Sequence, residues 1–362
     1  MKYYNNKLFS RCFLLRLVII SSSIFLFSCQ GVHHATLGLG EEYVDGDEAK
    51  TAEQLISTIK AISLQRYPEG KVKRFNQAKS LGCFDATFTV AKDLPENFQQ
   101  GVFGTENEFL AKVRFANATE NDDREKDFRG MSIKLFDVPG EPLLGESGQQ
   151  DFILNSHPVL FAANPEDFLD FVEATEEGAM WKYLVNPSHF YSLKILLLGR
   201  NEIANPFSIR YWSTTPYRFG NDKSQAVKYS VQSCPKETLS RHSNFLTDAM
   251  ERSLTKATAC FDFMVQFQTD PIKMPIENAS VEWDETLSPF IKVATITIDG
   301  QGFDNQDFRS KERMKTCEAM TFNPWQTLEA HKPLGGINRV RKAVYTETSG
   351  FRHSQNSLRN PE

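Results

Sequence analysis

Apolar residues change their spacing several times along this chain, and each change marks an element. Between residues 49 and 66, Leu55, Ile56, Ile59 and Ile62 recur at helical intervals, which predicts a helix with one buried face; Pro68 and Gly70 stop it. The period then falls to two. Phe84, Ala86, Phe88 and Val90 alternate with Asp85, Thr87 and Thr89, the signature of a strand buried on one face. Residues 111–116, 131–138 and 150–154 predict further strands. Asn164 is placed to cap a short helix opened by Pro165-Glu166-Asp167 and running through Phe171. Residues 176–205 read as helix and loop, residues 211–214 and 226–231 as strands paired around a turn, and residues 239–257 as a helix. Alternation returns at Phe261, Phe263, Val265 and Phe267, and again over residues 293–298. An irregular stretch, 321–336, carries Pro324, Pro333, Gly335 and Gly336 ahead of a last helix. Several strands with helices inserted late predict an α+β fold built around an antiparallel barrel.

The first residues break this pattern. Lys2, Lys7, Arg11 and Arg16 precede an uncharged apolar run over residues 17–27, followed by Ser28-Cys29-Gln30. This is the layout of a secretory signal, too short in its uncharged span for a confident membrane helix. Leu26-Phe27-Ser28-Cys29 resembles a bacterial lipobox, which implies cleavage before Cys29 and lipidation of that residue; a plain signal or an uncleaved anchor is the alternative. Gln30 is not the Asp that signals inner-membrane retention, so the expectation is a periplasm-facing protein lipid-anchored to the outer membrane. Residues 29–47, polar and Gly-rich, read as a flexible tether, and 48–362 as one large domain.

Loss of residues 1–28 removes four of the 41 basic residues and none of the 46 acidic ones, moving the net charge from −5 to −9. An acidic chain without a basic block argues against nucleic acid and against electrostatic docking to anionic lipid. Cys83, Cys234, Cys260 and Cys317 are left beyond the signal and the lipobox; they form no zinc spacing, and although an oxidising compartment allows disulfides, their connectivity cannot be read.

Candidate chemistry lies in the last helix. Within residues 339–352, Arg341, Tyr345 and Arg352 stand four and seven residues apart, on one helical face. A free tyrosine has a pKa near ~10 and is a poor ligand at neutral pH. A guanidinium one turn away, and a ferric ion, each favour the phenolate. An ordinary amphipathic helix with a half-buried Tyr has the same spacing.

Arg341-x-x-x-Tyr345 with Arg352 resembles the proximal haem segment of the catalase family, usually Arg-x-x-x-Tyr-x-Asp-Thr-x-x-x-Arg; Glu347 stands for the Asp and Thr348 is kept. Other blocks follow in family order. Val113-Arg114-Phe115-Ala116 is similar to Val-Arg-Phe-Ser. Asp127-Phe128-Arg129-Gly130-Met131-Ser132-Ile133-Lys134-Leu135 is similar to Asp-Pro-Arg-Gly-Phe-Ala-Val-Lys-Phe. Pro158-Val159-Leu160-Phe161 and, after Trp212-Ser213, Val227-Lys228-Tyr229 complete the set. Residues 323–335 look like the smaller, catalase-related branch. The resemblance covers about residues 65–353 and implies a catalase-like antiparallel β-barrel, haem b as cofactor with Tyr345 on its iron, and Arg74, Arg114 and Arg352 pairing the propionates through guanidinium forks. It also implies a monomer or dimer, since the long extensions through which catalases oligomerise have no counterpart here.

On the distal side the chain departs from the family. Where catalases carry Arg-x-x-His-x-Lys, this chain has Arg74-Phe75-Asn76-Gln77-Ala78-Lys79, with Gln77 in place of the acid–base His. An amide can hold a peroxide but cannot relay its proton, a step typically worth ~10²–10⁴ in rate. The family's distal Asn falls on Asn155 or Ser156, Asn155 being the choice, and His157 is the remaining candidate acid–base. The expectation is therefore a haem peroxidase or hydroperoxidase acting on hydrogen peroxide or on organic or lipid hydroperoxides, with weak catalase turnover. The alternatives are a haem carrier without turnover and a haem-free barrel.

Overall fold

In the computed structural model, the described residues are 37–359 apart from 45, 105–106, 235–245, 256 and 301–307. The signal, Cys29 and the first part of the predicted tether lie outside them.

Eight antiparallel strands close a barrel. Taken round the ring, β1 (Lys79–Val90) is followed by β2 (Glu108–Asn117), β3 (Arg129–Leu135), β4 (Gln150–Asn155), β5 (Tyr211–Trp212), β7 (Ala226–Ser233), β8 (Ala259–Phe267) and β9 (Ile291–Ile298), which returns to β1. The short β6 (Tyr217–Arg218) pairs with β7 outside the ring. Closure comes from Tyr211 opposite Val231 and Asn155 opposite Trp212; a closed ring leaves few edges open to further pairing.

The period-two pattern sets what each face does. Phe84, Phe88, Phe115, Phe152, Phe261 and Phe263 fill the interior, joined by Phe103, Phe207 and Phe219 from loops. Each fully buried ring of this kind contributes roughly 1.5–3 kcal/mol. Arg114, Ser132, Ile153 and Asn155, each next in sequence to an inward residue (Phe115, Met131, Phe152 and Leu154), therefore face outward. Against that outer face lie α1 (Glu48–Arg66), α2 (Pro165–Glu176) and α7 (Gly336–Arg359), sealed to one another by Leu55, Ile59, Ile62, Leu169, Val172, Val340 and Val344. The Asp47 side chain caps α1 by accepting from the Lys50 N–H, and Asn164 caps α2 through the Asp167 N–H.

The remaining helices are α3 (Met180–Val185), α4 (Phe190–Leu198), α5 (Leu246–Leu254) and α6 (Phe308–Ala319). Three helices differ from the sequence reading. Of the helix expected over 239–257, residues 239–245 lie outside the described residues and α5 ends at Leu254. The α2 helix runs five residues past Phe171, because Val172 and Ala174 continue its buried face. The α6 helix was not predicted; it is strongly polar and is held through Cys317, disulfide-bonded to Cys83 on β1. A second disulfide, Cys234–Cys260, joins the end of β7 to the start of β8. The last residues of the predicted tether lie on the body: the Gly40 N–H donates to Gln268 Oε1 at 2.8 Å, and Glu42 pairs with Arg339 at 2.7 Å. Among the described residues no helix is long and apolar enough to cross a membrane, and no cluster of three His, Cys, Asp or Glu is placed to hold a metal ion.

Candidate functional site

The start of α7 is pinned to the barrel by one buried amide. Asn338 Nδ2 donates to the carbonyls of Pro216 (2.9 Å) and Leu334 (3.0 Å), while its Oδ1 accepts from Thr215 Oγ1 and from Arg341 Nη1, each at 3.1 Å. Trp325 Nε1 donates to the Asn338 carbonyl at 2.7 Å. Arg341, fixed in this way, turns its other nitrogen toward the next turn, where Nη2 donates to Tyr345 Oη at 2.9 Å. Burial works against the Arg341 charge, but the Tyr345 and Tyr217 phenols outweigh it and raise its pKa above the ordinary arginine value. On the same helix Arg339 is gripped by Glu42, Glu48 and Glu277, which fixes the rotation of α7 about its axis.

Between α7 and the outer face of the barrel lies a cavity of about 220 Å³. Its walls include Tyr345, Arg341 and Arg352 from α7, Arg74 and Gln77 from the segment before β1, and Arg114 and Asn155 from β2 and β4. These seven of the candidates read from the sequence thus share one cavity. Leu55, Ile59, Ile153, Leu160, Phe168 and Val340 give it apolar walls. Glu347 points away, to Lys60 of α1 at 3.1 Å.

In the cavity wall, Gln77 adopts a left-handed backbone, φ 57°, uncommon for a side-chain-bearing residue. Its N–H donates to the Ala118 carbonyl (2.9 Å), and its own carbonyl accepts from Arg114 Nη2 (2.9 Å). The side-chain amide lies directly over Gly130: a Cβ there would come within 2.2 Å of Gln77 Cδ. Asn155 Oδ1 is buried and has no hydrogen-bond partner among the described residues. A buried acceptor without a donor is costly, and it suits a site completed by a ligand. Ser156 is committed elsewhere, its Oγ accepting from the Arg129 N–H at 2.8 Å. His157 lies outside the cavity. Its Nδ1 faces the Val159 backbone, its ring meets Phe128 edge-on, and burial lowers its pKa.

The three arginines converge at one end, and they have company there. Arg74 Nη1 and Arg114 Nε bind the two carboxylate oxygens of Glu318, each at 2.7 Å, while Arg352 Nη1 donates to the Glu318 carbonyl (2.8 Å) and Arg74 Nη2 to that of Met320 (2.8 Å). Burial and the neighbouring Arg114 lower the Arg74 pKa to about 9, and burial with Arg114 lowers that of Arg352 despite Glu318. Burial alone would raise the Glu318 pKa, but Arg114 and Arg74 outweigh it and hold the carboxylate below its usual range.

No protein-family profile matches the chain. A catalase of Methanosarcina barkeri is 22% identical over 181 residues, 47% of this chain and 34% of the relative. Catalase A of Saccharomyces cerevisiae superposes with a TM-score of 0.59 at 18% identity over 82% of this chain and 65% of that one. A bacterial catalase gives 0.61 at 13% identity, covering 82% and 61%. The fold is that of the catalases. The chain spans about a third of the curated catalase and under two thirds of each solved one.

Within this catalase fold, the block 127–130 has a structural task. The Asp127 carboxylate accepts from the N–H groups of Thr119 (2.8 Å), Glu120 (2.9 Å) and Phe128 (2.9 Å), and Arg129 is held by Asn117 and the Glu125 carbonyl. Together they set Gly130 beneath Gln77. Sequence reasoning missed Asn338, Thr215 and Glu318. Asn338 follows the Gly335-Gly336 turn with no motif of its own, and Glu318 is brought to the arginines by the Cys83–Cys317 disulfide.

Proposed function

We propose that this chain binds haem b in the cavity between the barrel and α7, with Tyr345 Oη as the iron ligand, and acts on peroxides. The observation that carries the reading is the Arg341–Tyr345 hydrogen bond in the same apolar-walled cavity that Gln77 and Asn155 line. Bound haem would supply the redox chemistry of peroxide cleavage. Arg341 stabilises negative charge on Tyr345 Oη. Asn155 and Gln77 orient a peroxide by hydrogen bonds, and the apolar walls exclude bulk water. Neither amide takes up a proton near neutral pH, so hydrogen peroxide disproportionation is weak, and organic or lipid hydroperoxides, whose O–O cleavage leans less on a distal base, are the favoured substrates. The Arg74, Arg114 and Arg352 cluster is placed to receive the propionates.

Cys29 lipidation and outer-membrane anchoring belong to the same proposal, on the strength of the lipobox-like residues 26–29, as does the smaller catalase-related branch, on residues 323–335. Gln77 also favours a second reading, a haem-holding protein without turnover. Haem titration of the purified full chain, followed by peroxide with a reducing dye and by oxygen evolution, separates the readings. Dye oxidation with little oxygen supports the peroxidase, haem uptake without either supports the carrier, and absence of haem uptake removes both.

A further inference from the structure

The arginine end of the cavity is not an open anion site. Three guanidinium groups face one another there, all at least partly buried, and the C-terminal end of α6 answers them. It offers the Glu318 carboxylate, both oxygens engaged, and the carbonyls of Glu318 and Met320. A helix C-terminus carries partial negative charge, so the backbone adds to the side chain. The residue just before Glu318 is Cys317, fully buried and bonded to Cys83, which pairs directly with Arg114 in the β1–β2 ladder. The disulfide thus holds the Glu318 carboxylate beside Arg114 at a high effective concentration.

The geometry points to Glu318 as a resident carboxylate that competes with the carboxylates of an incoming ligand for Arg74, Arg114 and Arg352, and so sets the affinity of this cavity. This rests on the haem reading above and deepens it. A ligand carboxylate reaches the single N–H of Arg114 Nε only by taking the place of a Glu318 oxygen, and at Arg74 Nη1 it must share the nitrogen with the other one. Glu318 also keeps the cluster together in the ligand-free protein, where three facing cations repel one another.

The test uses the full chain, wild type, Glu318→Gln and Glu318→Asp, titrated with haem, with metal-free protoporphyrin IX and with haem dimethyl ester, which lacks both carboxylates. Glu318→Gln is expected to bind haem and protoporphyrin at least tenfold tighter and the diester with unchanged affinity. Its ligand-free melting temperature should fall and recover on haem binding. Glu318→Asp, which keeps the charge, should stay within threefold of wild type for all three probes. Equal haem affinity in wild type and Glu318→Gln overturns the competition while leaving the haem reading standing, and so does an equal gain for the diester. Weaker haem binding by a folded Glu318→Gln overturns it too, by making Glu318 a support for the ligand. If no macrocycle binds any form, this inference and the haem reading fall together.

Discussion

At the scale of the residue, the proposed function turns on two amides and a phenol. Gln77 is legible in sequence because it interrupts a motif, yet its constraint is not: its left-handed backbone and its seat over Gly130 follow from loop geometry that no pattern encodes. Replacing it restores the missing proton relay in principle. Gln77→His in haem-loaded protein is expected to raise oxygen evolution from hydrogen peroxide by about 10²–10⁴, read with an oxygen electrode; no gain would mean that an imidazole at this seat cannot reach the peroxide. A second residue sets pH behaviour away from the site. His331 is fully buried among Phe103, Phe219 and Tyr229, and burial lowers its pKa to about 3. As pH falls below about 6.5 the unfolded chain takes up a proton that folded His331 refuses, so stability drops by about 1.4 kcal/mol per pH unit until the pH nears the folded value. Buried Asp151, raised to about 6 by burial against the pull of Lys134, runs the other way between its unfolded pKa and pH 6. The His contribution is isolated by comparison: in denaturant titrations between pH 4 and 6, His331→Gln should lose stability less steeply than wild type by about that slope. Parallel curves would contradict the assignment.

At the scale of the element, the last helix was legible and the one before it was not. Spacings of four and seven put Arg341, Tyr345 and Arg352 on one face, and α7 presents all three to the cavity, because only side-chain direction along a regular helix was needed. The α6 helix has no apolar stripe to betray it; covalent linkage through Cys317 and ion pairing through Glu318 hold it in place. Such contacts join residues about two hundred positions apart and leave no local periodicity. The disulfide is therefore expected to matter for stability well beyond α6. Cys83→Ala with Cys317→Ala should cost about 2–4 kcal/mol in urea unfolding, and a cost below ~1 kcal/mol would show that packing alone fixes this helix.

At the scale of the whole molecule, alternating Phe positions announced a barrel, but not that its outer face would build the site. That follows from register: Phe115, Phe152 and Leu154 turn inward, so Arg114, Ile153 and Asn155 turn toward α7. The catalase fold covers 82% of the chain at 13–18% identity to the solved catalases, so the proposed cofactor and activity rest on the cavity's own residues. The most direct test is the absorption spectrum of the purified full chain supplied with haem, alongside Tyr345→Phe. The account predicts a ferric Soret band in the wild type that is shifted or lost in the variant. A wild type without a Soret band, or a variant with an unchanged spectrum, would contradict it.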